Sequence, residues 1–143
     1  MTRQEASSVV DLPVEQVYAR LAAVEEWPRF LTGVRSVRRT SFERFVFTVT
    51  GGVDGPGRTR DVEVAVGHHP KEHRIAWHAL AGPAFDGELR MAEAGPGHTR
   101  VALTLVAEPA GFLAGVSEMV GATIPAAVLD VQRLEELLTT PAG

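Results

Sequence analysis

Arg74-Ile75-Ala76-Trp77-His78-Ala79, Gly87-Glu88-Leu89-Arg90-Met91 and Thr99-Arg100-Val101-Ala102-Leu103-Thr104-Leu105 each alternate apolar with polar residues. That alternation marks strands with one buried face and one wet face. Gly82-Pro83 and Gly95-Pro96-Gly97 stand between them as turns. After Glu108-Pro109 the apolar spacing becomes three or four residues and stays so almost to the end. Val116, Met119, Val120, Thr123, Ile124, Ala127, Val131, Leu134 and Leu138 form one stripe, which predicts a long helix beginning near Phe112 or Leu113. Pro125 must kink or break it. Glu118, Asp130, Gln132, Arg133, Glu135 and Glu136 fill its polar positions. Hairpins followed by one apolar helix bury that helix against the sheet. A curved sheet gripping a helix suggests a container for a hydrophobic small molecule.

Toward the N-terminus, residues 4–10 read as a first strand, and Asp11-Leu12-Pro13 as a helix start with Asp11 as cap and Pro13 in the first turn. Val14, Val17, Tyr18 and Leu21 make one apolar helical face, and Glu25 to Leu31 a second short helical turn. Pro28 separates the two, and Gly33 ends the second. Residues 34–41 and 42–50 are strand-like. The tract Gly51-Gly52-Val53-Asp54-Gly55-Pro56-Gly57 is a turn rather than a phosphate loop, because neither Lys-Ser nor Lys-Thr nor a helix follows it. From Arg58 to Gly67, Arg60, Val62, Val64 and Val66 share one face. His68 to Glu72 reads as a turn. Phe85, Gly87, Leu89 and Met91 share the inner face of the next-to-last strand, opposite Asp86, Glu88 and Arg90.

The chain of 143 residues, 45% hydrophobic and 22% charged, is long enough for one domain with a true core. A net charge of −4 gives no reason to expect nucleic acid. Arg35, Arg38 and Arg39 are the one basic cluster, and it lacks aromatic interleaving suited to base stacking. The absence of cysteine excludes disulfides and thiolate chemistry. The polar N-terminus has no signal-peptide core and no segment reaches the length of a membrane span, so a cytoplasmic location is expected.

The order of one strand, two short helices, six strands and a long helix resembles the helix-grip fold of the START/Bet v 1-like superfamily. Trp27-Pro28-Arg29-Phe30 with Val34 and Val37 narrows the resemblance, as does Pro70 followed by Arg74-Ile75-Ala76-Trp77. Gly82-Pro83, Gly87, Thr99-Arg100-Val101, Glu108-Pro109 and the last helix complete the set. Together they resemble the polyketide cyclase/dehydrase branch. The resemblance implies an α+β fold in a single domain over residues 1–143, with about seven antiparallel strands wrapped around the C-terminal helix. It also implies one of two roles: cyclisation and dehydration of poly-β-ketone chains on an acyl carrier protein, or carriage of a hydrophobic molecule such as a quinone or lipid. Where the cyclases place interior Arg, Tyr, His or Asp, the matching positions here hold Val64, Val66, Trp77 and Ala79, and Arg60 is the one charged residue on that face.

The leading expectation is therefore a ligand-binding protein. Arg60 and Thr123 would orient the ligand, with Trp27, Phe30, Val62, Val64, Trp77, Leu89, Met91, Met119 and Ile124 as walls. The indole N–H of Trp77 would want a partner if buried, and a ligand oxygen could be one. The rival is an aromatase/cyclase or dehydratase that needs no cofactor. Its base candidate is His78, which alternation places on the outer face. A third reading is a filled-core interaction or regulatory module, to be told by a large exposed apolar patch or a stable homodimer without internal volume. His68, His69 and His73 fall within six residues of a turn without a well-placed carboxylate, so no metal site is expected.

Overall fold

The computed structural model describes residues 2–50, 59–80, 85–107 and 126–139. Strand β1 (Thr2–Val10) leads to helix α1 (Val14–Leu21) and then to a 3-10 helix over Val24–Arg29. Strands β2 (Val34–Ser41), β3 (Arg44–Thr50), β4 (Thr59–His69), β5 (Arg74–Ala79), β6 (Phe85–Glu93) and β7 (Thr99–Ala107) follow, and helix α2 (Ala126–Thr139) comes last. A second 3-10 turn, Pro70–Glu72, joins β4 to β5. All seven strands form one antiparallel sheet in the order β1-β7-β6-β5-β4-β3-β2. Its two edges, β1 and β2, are joined in sequence by α1 and the first 3-10 helix, so those helices must cross one face of the sheet.

Alternation decides which side faces inward. Val62, Val64 and Val66 of β4, Ile75 and Trp77 of β5, Phe85, Leu89 and Met91 of β6, and Val101, Leu103 and Leu105 of β7 are all buried. Trp77 pairs with Val66 on one side and with Gly87 on the other. A Cβ on Gly87 would overlap the Trp77 ring atoms Cζ2 and Cη2 and lie 2.7 Å from the Thr104 carbonyl oxygen. Only a residue without a side chain lets the indole lie flat on β6. Gly87→Ala is expected to lose about 1–3 kcal/mol of stability through overpacking, read as a lower urea midpoint. An unchanged midpoint would show that the indole is free to move.

Several local expectations need correction. Helix α1 is capped by Pro13, not Asp11: the Pro13 carbonyl accepts the Gln16 and Val17 N–H groups at 3.0 and 3.1 Å, and no side chain caps the end. Asp11 instead turns outward to His98 Nε2 at 3.0 Å. Phe42 does not begin β3. With Glu43 it forms the turn between β2 and β3, and Glu43 takes a left-handed φ of 63°. His68 is not in a turn: β4 runs on to His69, and His68 continues the inward series of Val62, Val64 and Val66. Its Nε2 lies 3.2 Å from the Ala22 carbonyl oxygen, tying the sheet to the end of α1.

Helix α2 is described over Ala126–Thr139, and the expected start near Phe112 or Leu113 and the break at Pro125 lie outside the described residues. Ala127, Val131, Leu134 and Leu138 are buried, as the stripe requires. The helix packs on β1 and β7. The Ala127 N–H donates to Gln4 Oε1 at 3.0 Å, tying α2 to β1. Asp130 is not a solvated position. It is 1% exposed and accepts the Thr32 N–H at 2.8 Å and the Thr32 hydroxyl at 2.5 Å.

Candidate functional site

The inner face of the sheet meets the first 3-10 helix in an aromatic cluster. Pro28 interrupts ordinary α-helical bonding there, and the resulting tight turns drive Trp27 and Phe30 into the core. The Trp27 ring centroid lies 4.9 Å from Trp77, 5.9 Å from Phe47 and 6.4 Å from Phe30. Phe47 continues the cluster to Phe85 at 6.3 Å. Tilted and edge-on contacts at these separations suit the quadrupoles of the rings.

The two indoles differ in a way that matters. Trp27 Nε1 donates to the Leu21 carbonyl at 2.9 Å, so its polar atom is satisfied. Trp77 Nε1 is buried and has no hydrogen-bond partner among the described residues. An unmet buried donor costs about 1–3 kcal/mol, and native proteins seldom leave one. It is the one inward polar atom of the cluster that lacks a partner among the described residues.

The expected wall residues divide as follows. Trp27, Phe30, Val62, Val64, Trp77, Leu89 and Met91 are all buried against the inner face. Val62 sits opposite Phe47, and Leu89 lies between Ile75 and Leu103. Arg60 is half-buried at the start of β4, opposite Val49, in the phase of Val62 and Val64. Met119, Thr123 and Ile124 lie outside the described residues. His78 is exposed on the outer face.

The outer face is a charged network. Arg74 pairs with Glu72 and Glu88 at 3.2 Å each, and Arg90 pairs with Glu88. Asp86 Oδ1 accepts the Ala79 N–H at 2.8 Å, closing the end of β5. An open depression of about 550 Å³ is lined by Glu72, Arg74, Arg90, Met91 and Ala92. Its arginines are already paired with carboxylates, so it offers no unmet group for recognising a ligand.

Two groups escaped the sequence reading. Asp130 clamps α2 to the turn before β2, with Arg133 Nη1 donating to the same Thr32 hydroxyl at 3.3 Å. Burial pushes its carboxyl up to about 6, against the opposing pull of the Thr32 bonds and the Arg133 charge. A signal was present: Asp130 falls three residues after Ala127 and four before Leu134, on the apolar stripe. The second is Tyr18, whose hydroxyl is buried without a partner among the described residues and whose ring meets His73 edge-on at 6.1 Å. Burial raises its pKa. His73 Nε2 lies 2.8 Å from Glu15 Oε1. Among the described residues no group of three or more His, Cys, Asp or Glu is placed to hold a metal, and no helix is long and apolar enough to cross a membrane.

A seven-stranded antiparallel sheet, two short helices after the first strand and a C-terminal helix packed on the sheet make a helix-grip fold, similar to that of a START superfamily protein from Mycobacterium smegmatis. The family described as "Polyketide cyclase / dehydrase and lipid transport" matches residues 10–136, and the chain belongs to it. No curated protein matches the chain. Among solved structures it is similar to TTHA0849 from Thermus thermophilus, at 20% identity and a TM-score of 0.69 over 96% of this chain and 97% of that one. It is also similar to DR_A0006 from Deinococcus radiodurans, at 24% identity and 0.66 over 94% and 90%. The Zhui aromatase/cyclase from Streptomyces sp. R1128 follows at 20% and 0.58 over 96% and 81%. At these identities the likeness shows the fold.

Proposed function

We propose that the protein binds a hydrophobic small molecule carrying a hydrogen-bond-accepting oxygen, against the aromatic inner face of the sheet. The observation that carries this reading is Trp77 Nε1, a buried donor with no partner among the described residues, inside an otherwise apolar cluster. A ligand carbonyl or quinone oxygen would satisfy it. Ligand sites are mostly apolar walls with a few placed polar groups, and this cluster has that character. Arg60 serves the mouth of the site. It lies six residues along β4 from Val66, the register partner of Trp77, or roughly 20 Å of strand. An elongated ligand therefore suits the face better than a compact one. Thr123, Met119 and Ile124, which lie outside the described residues, keep the ligand-contacting roles expected of them from the sequence. Family membership supports small-molecule binding in this fold.

A cyclase reading asks for titratable groups that converge on one substrate atom. On the inner face of β4 to β7, the buried or half-buried titratable side chains among the described residues are Arg60 and His68. They stand eight residues apart on one strand, roughly 26 Å, and His68 is already engaged with Ala22. Binding is the function this geometry supports best.

Native mass spectrometry of the protein as purified, followed by denaturing extraction, tests the reading. A co-purifying apolar compound with a carbonyl or quinone oxygen is expected. Trp77→Phe keeps an aromatic ring and removes the donor. It should weaken a quinone by about three- to tenfold, the worth of one hydrogen bond, while leaving an oxygen-free analogue of the same shape less affected. Equal losses for both would refute the role of Nε1. No adduct, and no thermal shift with quinones, polyketides or fatty acids, would refute binding altogether.

A further inference from the structure

The hairpin of β2 and β3 has features that neither the core nor the ligand site explains. Its tip is Phe42-Glu43, and Phe42 is 79% exposed. Tight hairpin tips favour Asn-Gly or Asp-Gly, because those residues accept a left-handed backbone. Here the left-handed position holds Glu43 and the neighbouring position holds a phenylalanine in water. Neither choice serves stability.

The hairpin is also basic. Residues 34–50 carry four arginines against one glutamate, in a chain whose net charge is −4. Arg35, Arg38, Arg39 and Arg44 are all exposed. Arg44 lies 3.6 Å from Glu63, and the Arg39 guanidinium sits 5.7 Å over the Phe45 ring. Arg35, Arg38 and Arg39 make no ion pair with a described residue. Because β2 is a sheet edge, charge alone has a plain explanation: it blunts strand-to-strand pairing. That accounts for Arg35 and Arg38. It does not account for Phe42, which makes the same edge stickier.

We propose that this hairpin docks the protein on an anionic lipid surface, with Phe42 inserted among the headgroups and Arg38 and Arg39, four and three residues before it in β2, held at the phosphates. A protein partner would call for a broad complementary patch of about 800 Å². A single protruding ring flanked by arginines fits a deformable headgroup layer instead, where aromatic rings sit at the interface and each arginine adds attraction to anionic lipid. The acidic remainder of the chain is repelled by such a surface, so the charge asymmetry also orients the molecule tip first. This proposal does not depend on the identity of the internal ligand.

Flotation of the full-length protein with phosphatidylcholine vesicles, with and without about 30% phosphatidylserine, tests it. Binding is expected only with phosphatidylserine at about 0.05 M salt, and it should fall away at about 0.5 M as charges are screened. Arg38→Gln and Arg39→Gln should each weaken binding about fivefold, and Phe42→Ala about tenfold. All three sites are exposed, so the variants should keep the wild-type melting temperature. Equal binding to neutral vesicles, or full binding by Phe42→Ala, overturns the proposal. So does a wild type that floats with neither vesicle. A wild type that ignores vesicles yet binds an acidic carrier protein through Arg38 and Arg39 would assign the hairpin to a protein partner and overturn the lipid assignment.

Discussion

Trp27→Ala is expected to destabilise the fold by about 3–5 kcal/mol, the usual range for removing a buried indole. For a chain of this size that corresponds to a melting temperature lower by roughly 10 °C or more. Trp27 is fully buried, touches Trp77, Phe47 and Phe30, and ties the end of α1 through its bond to Leu21. The substitution opens a cavity next to Trp77 and orphans the Leu21 carbonyl. Trp27→Phe keeps most of the packing and loses the bond, so a smaller loss is expected. Chemical denaturation with each variant measures both. A loss under about 1 kcal/mol for the alanine variant would mean that the cluster is not close-packed and that free volume already stands beside it. That outcome would contradict the packing described above while strengthening the case for an internal ligand.

The second large effect concerns pH. The Asp130 carboxyl is raised from 3.8 in the unfolded chain to about 6 in the folded protein. The folded state therefore holds its proton more tightly. The stability this group contributes is fully present below about pH 3.8 and is lost as pH rises through about 6. The change amounts to about 3 kcal/mol. Asp130→Asn keeps an acceptor for the Thr32 N–H and cannot ionise. Relative to the wild type it should gain about 3 kcal/mol between pH 4 and pH 8, being near neutral at the low end and more stable at the high end. Urea unfolding of both proteins across that range checks it. Parallel profiles would show that Asp130 is ionised throughout, held by Thr32 and Arg133.

Asp130 also shows where local reading stops. Its spacing says buried and its chemistry says exposed. The conflict is settled by Thr32, 98 residues away in sequence. Arg60 and the inward valines of β4 were legible because a strand alternates with a period of two, whatever it pairs with. His68 obeyed the same alternation, but Pro70 suggested a turn two residues too early. Phe42 looked like a strand residue because its neighbours have strand composition, and the register that makes it a tip depends on how Ser41 meets Arg44. Trp77 was placed on the inner face from sequence. That its N–H has no partner among the described residues, while the N–H of Trp27 does, depends on which carbonyl each indole meets.

Residue order alone settles the side of each strand and helix that leaves water, and hence a one-faced sheet covered by helices. Periodicity is local and survives any arrangement of the elements, which is why the order of strands and helices could be read from it, while the family resemblance rests on motifs such as Trp27-Pro28-Arg29-Phe30. Satisfaction emerges only from packing in three dimensions: which buried polar group finds a partner, which does not, and which aromatic is left outside. Those outcomes depend on contacts between residues far apart in the chain, fixed to within an ångström by packing, and no local pattern carries them.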